Sequence, residues 1–306
     1  MARAVQFDRF GPTDVLEVVH VDPPHAGPGE VRVRVAAAGL NPVDWKIIRF
    51  RQVAEAYGCP RLPAGNGNDF AGVIDEVGDG VEGWSVGDEV FGGHRFFAQA
   101  DFAVVPAGKL VRKPRGISWE QAGALDIVGR TAWASVRAID PTPDDTVLVT
   151  AAAGGVGVLA AQLAVGRGAR VIGTASEANH EFLERLGVTP VTYGEGAADR
   201  IRAAAPQGVT AVLDNQGEAS IELALELGVP RDRINTIAGR GSEKTEGILQ
   251  VGGAQANLGE LEHMAQLIAD GLVFPIDSVF PVERVREAYA RLEAGHVRGK
   301  VVLAFE

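Results

Sequence analysis

The chain has 306 residues, of which 46% are hydrophobic and 23% are charged, and its formal net charge is −11. This length favours two domains over a single hydrophobic core, and the composition is that of an ordinary globular protein rather than a disordered or fibrous one. The acidic balance disfavours nucleic-acid binding as the main activity, because such a surface repels phosphate backbones.

Cysteine usage and the N-terminal residues indicate a reducing compartment. The single cysteine, Cys59, excludes an intramolecular disulfide and any zinc site built on several thiolates. The first nine residues contain no apolar core of a signal peptide, and charges interrupt every apolar stretch well short of a membrane span. We therefore expect a cytoplasmic protein without a membrane segment.

The first third of the chain is predicted to be rich in short β-strands. Valines alternate with charged residues over 30–35, which is the period-two pattern of a half-buried strand. Glycine- and proline-containing turns separate the predicted strands, and such a pattern indicates a compact, barrel-like β domain. The other strands of this region are predicted at 15–19, 71–78, 87–91 and 102–106.

The pattern changes near residue 120, where strands begin to alternate with helices. Apolar residues recur at helical spacing over 119–139. Strands are predicted at 146–150, 169–174, 190–193, 208–214 and 300–305, and helices after the first of these strands and at 179–186, 259–270 and 282–293. Short apolar strands alternating with helices imply parallel pairing, so the predicted fold class is α/β with a doubly wound sheet.

The strongest local signal is a glycine-rich turn between a strand and a helix, within residues 147–160. Its glycines let the backbone approach a pyrophosphate closely, and the free N–H groups at the start of the helix bind the anion. A side chain in place of Gly157 is expected to occupy the pyrophosphate space. The candidate cofactor-binding residues of this dinucleotide turn are Ala152, Gly154, Gly155, Val156 and Gly157.

The end of the next strand bears on the choice of nucleotide. NAD-preferring sites carry an Asp or Glu there, which binds the ribose hydroxyls. Here the strand ends without a carboxylate at Thr174, which leaves Ser176 as a donor to a 2′-phosphate. Further donors could be Asn179, His180 and Tyr193. This pattern favours NADPH over NADH. The carboxylate of Glu177 would repel a 2′-phosphate unless it points away. Ser176 could instead cap the helix that follows it.

Six segments of the chain carry a family resemblance. They lie at 38–46, 69–78, 86–91, 129–132, 151–157 and 299–303. Taken together and in this order, they resemble the medium-chain dehydrogenase/reductase superfamily, in its zinc-free quinone oxidoreductase-like branch, over essentially the whole chain.

The resemblance implies a domain organisation and an assembly. It implies a GroES-like β-barrel catalytic domain formed by residues 1–122 and 268–306, and a Rossmann dinucleotide-binding domain formed by residues 123–267. The cofactor is then expected in the cleft between them, usually in a homodimer.

The resemblance also implies roles for single residues. Asn41 and Asp44 are expected near the nicotinamide, and the loops after Leu213 and Ile237 are expected to flank its ring. The cofactor-binding residues from this source are Thr131, Asn215, Ile237 and Lys300.

Zinc-dependent alcohol dehydrogenases of the superfamily carry a Cys early in the chain and a Gly-His-Glu segment before the Ala-Gly-x-Val strand. In this chain the first site contains Asn41 and Asp44, and the second reads Gly67-Asn68-Asp69. The four-cysteine structural lobe is also missing from the sequence. We therefore expect no metal at the site and no zinc-dependent alcohol dehydrogenase chemistry.

Without a metal, a quinone or enone is the easier substrate, because the charge that develops during hydride transfer spreads over a conjugated oxygen. Asn41 or bound water could donate a hydrogen bond to that oxygen, and Tyr57 is a candidate proton donor. Asn41 and Asp44 could equally cap and fix a turn. His94, Phe96 and Phe97 are candidates for either substrate contact or packing.

The sequence therefore predicts an NADPH-dependent oxidoreductase that reduces a quinone or another α,β-unsaturated carbonyl by direct hydride transfer without a metal. Two alternatives stay open. One is an NADPH-dependent enoyl or secondary-alcohol reductase of specialised metabolism, and the other is a non-catalytic nucleotide-sensing or RNA-binding protein.

Overall fold

A computed structural model describes residues 1–238 and 243–305, which form two compact units. Unit 1 consists of Met1–Ile127, Leu261–Asp270 and Pro275–Glu306, and unit 2 consists of Val128–Glu260 and Gly271–Phe274. Among the described helices, none is both long and apolar enough to cross a membrane.

The strands are numbered in chain order. They are β1 (Ala2–Phe7), β2 (Glu17–Val21), β3 (Glu30–Gly39), β4 (Ala64–Gly65), β5 (Asp69–Val77), β6 (Glu89–Gly93), β7 (Phe102–Pro106), β8 (Leu110–Arg112), β9 (Thr146–Val149), β10 (Arg170–Ala175), β11 (Val188–Thr192), β12 (Ala211–Asp214), β13 (Ile234–Thr236), β14 (Ile276–Pro281) and β15 (Lys300–Ala304).

The α-helices are numbered in the same way. They are α1 (Pro42–Arg49), α2 (Arg51–Ala56), α3 (Trp119–Gly123), α4 (Asp126–Ile139), α5 (Gly155–Gly166), α6 (His180–Arg185), α7 (Ala197–Ala204), α8 (Glu218–Glu226), α9 (Leu258–Ala269) and α10 (Val285–Glu293).

Unit 1 is built on two β-sheets. The larger has the strand order β14-β15-β3-β5-β6-β8, with β7 also paired to β3, and the smaller has the order β2-β1-β4. Strand β3 is central because Val31, Val33 and Val35 face the core while the arginines between them face outward. This alternation follows from the side-chain period of two and confirms the strand predicted over 30–35.

Unit 2 contains one five-stranded sheet with the order β11-β10-β9-β12-β13, and all of its pairings are parallel. Strand β9 lies at the centre, and all four of its residues are buried. Such continuous burial is typical of a parallel strand that is covered on both faces. The doubly wound α/β fold predicted from the sequence is confirmed.

The structure corrects two predicted elements. Thr13–Val15 forms a short 3-10 turn, so β2 begins at Glu17 and not at residue 15. The helical stretch predicted over 119–139 is divided into α3 and α4. Helix α3 ends where Gly123 lies against β3, since a Cβ atom at this glycine would lie 2.5 Å from the carbonyl oxygen of Ala37. The elements that the sequence did not predict are β1, β4, β8, β13, β14, α1, α2, α7 and α8.

Candidate functional site

The glycine-rich turn joins β9 to α5 and leaves the first backbone N–H groups of that helix unbonded. Gly154 is the N-cap residue, and its carbonyl accepts a hydrogen bond from the N–H of Val158 at 2.9 Å. The N–H groups of Gly155, Val156 and Gly157 begin the helix, where no earlier carbonyl of the helix can accept them. The helix dipole adds a positive potential at the same point, so this turn can hold an anion such as a pyrophosphate.

Gly157 is required for the packing of the turn itself. A Cβ atom there would overlap the carbonyl oxygen of Ala151 and would lie 2.9 Å from the Cα of Ala152. A side chain at this position would therefore clash within the protein, in addition to the predicted occupation of the pyrophosphate space. Thr174 supports the turn from β10, because its Oγ1 accepts from the N–H of Ala151 at 3.2 Å and its carbonyl accepts from the N–H of Ala152 at 3.0 Å.

Asp214, at the end of β12, fixes the loops at the carboxyl edge of the sheet. Its buried carboxylate accepts hydrogen bonds from the hydroxyls of Thr150 at 2.9 Å, Ser220 at 2.7 Å and Thr236 at 2.6 Å, and from two backbone N–H groups. Asn215 adds two bonds to Thr150, one from each of its nitrogens, at 2.8 Å. The ends of β9, β12 and β13 are thereby held together.

A cavity of about 550 Å³ opens at this edge of unit 2. Thr150, Thr174 and Tyr193 line it where β9, β10 and β11 end, and Gln216 lines it after β12. Doubly wound sheets bind nucleotides at the carboxyl ends of their strands. None of the described residues that line the cavity is a Lys or Arg. Its carboxylates belong to Glu195, Asp199 and Glu226.

The predicted donors to a 2′-phosphate follow β10 and β11. Asn179 is only 8% exposed, and its Nδ2 donates to the Oγ of Ser176 at 3.2 Å. Tyr193 lines the cavity, whereas Glu177 is exposed to solvent and is not among the residues that line it. The structure therefore brings Ser176 and Asn179 into contact and puts Tyr193 on the cavity wall.

The other predicted cofactor residues of unit 2 are spread over three elements. Thr131 is buried in α4. Asn215 and Ile237 follow the neighbouring strands β12 and β13, and the N–H of Ile237 donates to the carbonyl of Asp214 at 3.1 Å. The loop after Ile237 continues into residues 239–242, which lie outside the described residues.

Unit 1 contains a buried charged cluster formed by Asn41, Asp44, Asp69 and Lys300. The Lys300 ammonium donates to the carbonyl of Leu40 at 2.7 Å and to Oδ1 of Asn41 at 2.5 Å, and it lies 3.7 Å from a carboxylate oxygen of Asp69. The amide nitrogen of the Asn41 side chain donates to Asp69 at 2.9 Å, and the backbone N–H of Asn41 donates to Asp44 at 2.8 Å. Each member is at most 3% exposed.

The structure shows the contacts of two predicted site residues. Lys300 is predicted to bind the cofactor, and its ammonium is buried and bonded to Leu40 and Asn41 within unit 1. Asn41 is predicted to donate to a substrate oxygen, and its amide is bonded on one side to Lys300 and on the other to Asp69. For Asp44 the structure shows the helix-capping alternative, since its carboxylate accepts from the N–H that precedes α1.

The cluster shifts the protonation of its members. Burial, together with the charge of Asp69, raises the pKa of Asp44 to about 7. Burial lowers the pKa of the Lys300 ammonium, and the two carboxylates oppose this effect. A carboxyl group with a pKa near neutrality is partly protonated under physiological conditions, which is typical of functional sites.

Sequence reasoning missed the polar residues that extend this cluster. Asn68 donates from its side chain to Asp69 at 2.8 Å and to Asp126 at 3.2 Å, and the N–H of Ile127 donates to Asp69 at 3.2 Å. The available signal was Asp126 itself, an acidic residue inside an otherwise apolar segment.

Tyr57 and Cys59 lie outside the buried cluster. Tyr57 follows α2, is 45% exposed, and has the guanidinium of Arg95 over its ring, with 4.5 Å between the guanidinium carbon and the ring centroid. Cys59 is half-buried, and burial raises the pKa of its thiol, which makes it a poor nucleophile.

The aromatic segment after β6 divides between core and surface. Phe96 is buried, whereas Phe97 is 50% exposed and stacks on His94 with 4.6 Å between the ring centroids. His94 in turn has its Nδ1 3.1 Å from the carbonyl of Val104, and burial lowers its pKa.

The donor set of unit 1 does not fit a zinc ion. Zinc is bound by thiolates, imidazoles and carboxylates. Here the Lys300 ammonium already lies between Asn41 and Asp69, so a second cation would meet a fixed positive charge. Across residues 1–238 and 243–305, no group of three or more His, Cys, Asp or Glu side chains is arranged to hold a metal.

The chain matches two family models and several known proteins. Residues 27–115 match the alcohol dehydrogenase GroES-like domain, and residues 186–303 match the zinc-binding dehydrogenase family. A quinone oxidoreductase of Pseudomonas aeruginosa is 38% identical over 187 residues, which cover 60% of this chain and 56% of that protein. The chain thus spans a little over half the length of the quinone oxidoreductases of Pseudomonas aeruginosa and Salmonella typhimurium that it matches.

Solved structures match over the whole chain. The quinone oxidoreductase from Coxiella burnetii is 31% identical with a TM-score of 0.87, and the match covers 100% of this chain and 99% of that one. The CurK enoyl reductase is 26% identical with a TM-score of 0.86, over 100% of this chain and 99% of that one.

Gly157→Ala is expected to destabilise the protein and to weaken dinucleotide binding, because the new Cβ overlaps the backbone of the turn. Overpacking of this kind costs about 1–3 kcal/mol, which denaturant unfolding measures. Gly166→Ala is the matched control in the same helix, because no described atom outside its chain neighbours and its own helix backbone lies within 4 Å of a Cβ there. This control should gain up to about 1 kcal/mol. Equal stability of the two variants would contradict the assigned packing.

The raised pKa of Asp44 predicts that the protein loses stability as the pH rises towards 7. The folded state holds this proton more tightly than the unfolded chain, whose carboxyl has a pKa of about 3.9. The stabilisation of the folded state is therefore complete when the pH is below about 3.9. It is lost as the pH rises through about 7. Its full size is about 4 kcal/mol at most, at about 1.4 kcal/mol for each pKa unit.

Asp44→Asn keeps an acceptor oxygen but cannot ionise, so its unfolding free energy should change less with pH over this window. Chemical denaturation at a series of pH values measures the difference. Glu177→Gln removes an exposed carboxylate and should keep the wild-type slope. An Asp44→Asn slope equal to that of the wild type would refute the assignment.

Proposed function

The chain belongs to the quinone oxidoreductase-like branch of the medium-chain dehydrogenase/reductase superfamily, and on this premise we propose that it is an NADPH-dependent reductase of quinones or other α,β-unsaturated carbonyls that uses no metal. The observation that carries the proposal is the turn before α5, with its unbonded N–H groups at the carboxyl edge of a doubly wound sheet. The homodimer and the cytoplasmic location expected from the sequence are part of the same proposal.

Unit 2 supplies the groups that would hold a dinucleotide. The N–H groups at the start of α5 would bind the pyrophosphate, and the cavity lined by Thr174 and Tyr193 would take the adenosine end. Asp214 keeps the loops in place, so little reorganisation is needed on binding. When bound, a reduced nicotinamide supplies the hydride.

The preference for NADPH rests on Ser176. Strand β10 ends at Ala175 without a carboxylate, so a 2′-phosphate would meet no repulsion from the strand end. The hydroxyl of Ser176 accepts from Asn179 and still has its own hydrogen to donate. Glu177 is exposed and does not line the cavity, so NADPH binding requires its carboxylate to point away from the 2′-phosphate.

Unit 1 supplies polar groups that suit a conjugated carbonyl. Hydride transfer moves negative charge onto the substrate oxygen until a proton from solvent neutralises it, and conjugation spreads that charge. Asn41 and Asp44 support the site from inside the buried cluster. Of the predicted catalytic residues, Tyr57 is the exposed one, and a substrate can therefore reach its side chain.

Reduction of an enoyl thioester is the second candidate function. The likeness to the CurK enoyl reductase over the whole chain favours it. Both functions place negative charge on a carbonyl oxygen that is conjugated with the reacting double bond, so the two differ mainly in the group attached to the carbonyl.

A substrate panel tests the proposal. Purified protein with NADPH should turn over benzoquinone or cyclohexenone and should not reduce a saturated aldehyde, as followed by the loss of nicotinamide absorbance. Extensive treatment with a chelator should leave the rate unchanged, because no metal takes part. Turnover of crotonyl-CoA alone would establish the second candidate, and turnover of none of these compounds, or loss of activity on chelation, would refute the proposal.

Ser176→Asp is expected to weaken NADPH binding about tenfold or more and to leave NADH binding nearly unchanged. A carboxylate about 4 Å from the 2′-phosphate costs about 1 kcal/mol for each unit of phosphate charge in high dielectric, and therefore about 2 kcal/mol for a doubly charged phosphate, which is more than tenfold in affinity. Calorimetry with each nucleotide measures both affinities. Glu177→Gln is the neighbouring control and should not lower NADPH affinity. An unaltered ratio of the two affinities in Ser176→Asp would put the phosphate elsewhere.

A further inference from the structure

Arg200 of α7 is an exposed cation that the protein holds at the end of β11. Its Nε and Nη2 donate to the carbonyl of Thr192 at 3.0 and 2.8 Å, and Nη2 also donates to the carbonyl of Tyr193 at 3.4 Å. Because the guanidinium is planar, these bonds fix its orientation as well as its position. A positive charge is thus held next to Tyr193, one of the residues that line the unit 2 cavity.

One nitrogen of this guanidinium is left for a ligand. Among the described residues, Nη1 has no hydrogen-bond acceptor, and no carboxylate forms an ion pair with Arg200. Nη1 lies beside Gly196, since a Cβ atom at that glycine would be 3.1 Å from it. Gly196 lines the cavity and is exposed, as Arg200 is, so this donor is accessible at the rim of the cavity.

The charges around the cavity are more balanced than its lining alone indicates. Asp199 and Glu226, two of the carboxylates in the lining, form ion pairs with Arg202 at 3.0 and 3.2 Å. Glu195 belongs to the short segment between β11 and α7, and Arg200 is bonded to the first residue of that segment. The positive charge of Arg200 therefore lies where an anion would otherwise meet only repulsion.

The guanidinium of Arg200 and the hydroxyl of Ser176 belong to neighbouring strand ends. Thr192 is the ladder partner of Ala175, which directly precedes Ser176, and paired strands are about 4.8 Å apart. Since the Ser176 hydroxyl accepts from Asn179, its own hydrogen stays available. A phosphate bound at the end of β10 is therefore within reach of Ser176 on one side and of Arg200 on the other.

We propose that Nη1 of Arg200 donates a hydrogen bond to the 2′-phosphate of NADPH, so that Arg200 is a specificity-determining residue for the cofactor. This inference rests on the proposed function, in which Ser176 alone carries the preference. A hydroxyl supplies a donor but no charge, whereas a phosphate monoester carries a charge of about −1.5 to −2 at neutral pH. NADH has a neutral hydroxyl at this position and therefore gains little from the guanidinium.

Arg200→Ala tests the proposal through binding alone. Calorimetry at low ionic strength should show an NADPH affinity reduced about tenfold or more, as for the loss of a charge-assisted hydrogen bond, and an NADH affinity within about twofold of the wild type. Adenosine 2′,5′-bisphosphate and 5′-AMP should show the same difference, because they differ in the same phosphate and carry no nicotinamide. Arg185→Ala is the matched control, since it removes an equal charge from an exposed arginine of unit 2 that pairs with Glu181, and it should change neither affinity.

Two further measurements separate recognition of the phosphate from support of the end of β11. Raising the salt concentration from about 0.05 to about 0.5 M should weaken NADPH binding more in the wild type than in Arg200→Ala, because salt screens the contact that the variant has lost. Arg200→Lys keeps the charge but not the planar fork, so its NADPH affinity should lie between those of the wild type and Arg200→Ala. Loss of the supporting bonds alone would weaken both nucleotides equally and would not depend on salt in this way.

Binding by the wild type distinguishes a failure of this inference from a failure of the proposed function. If the wild type prefers NADPH and Arg200→Ala keeps that preference, or loses affinity for both nucleotides equally, the inference about Arg200 fails alone. If the wild type binds NADH as tightly as NADPH, the cofactor preference in the proposed function fails as well. Loss of the preference in His180→Gln but not in Arg200→Ala would instead assign the phosphate to the imidazole, whose Nε2 lies 3.4 Å from Oγ1 of Thr192.

Discussion

Unit 1 depends on the hydrogen bonds and the ion pair that the buried Lys300 ammonium makes. It joins the first residue of β15 to the chain that leaves β3, through Leu40 and Asn41, and it lies beside Asp69 at the start of β5. Removing one partner from such a cluster leaves an uncompensated buried charge, which costs about 3–5 kcal/mol. The positions at which zinc-dependent relatives carry metal ligands are thus used here to join strands.

In unit 2 a buried carboxylate, that of Asp214, holds neighbouring segments together in the same way. It accepts hydrogen bonds from the hydroxyls of Thr150, Ser220 and Thr236, and so fixes the edge of the sheet at which a nucleotide would bind. In both units the buried ionised group is saturated with protein contacts and is not free for a ligand. In unit 2 the groups that remain for a ligand include the amides at the start of α5.

Most strands of the two larger sheets could be predicted from the sequence because their patterns are local, whereas β1 and β4 of the small sheet could not. Strand β7 has the predicted bounds of 102–106, and β9 ends one residue before the predicted 150. Helices α1 and α2 are too short to show an apolar period, so they were not predicted. The part played by Lys300 could not be predicted either, since it depends on a contact with a residue 259 positions away. Whether a polar side chain is already satisfied is a property of the tertiary structure alone.

Because the net charge of the chain is negative, a phosphate group would have to be bound through short-range contacts. The chain carries a net charge of −11, and the described lining of the unit 2 cavity has carboxylates but no Lys or Arg. Fields from exposed charges fade within about 8 Å at physiological ionic strength, so an anionic dinucleotide gains nothing from distant ones. In the proposed function, its binding free energy would come from short contacts with the amides at the start of α5 and with Ser176. The same acidic surface favours an uncharged substrate over an anionic one.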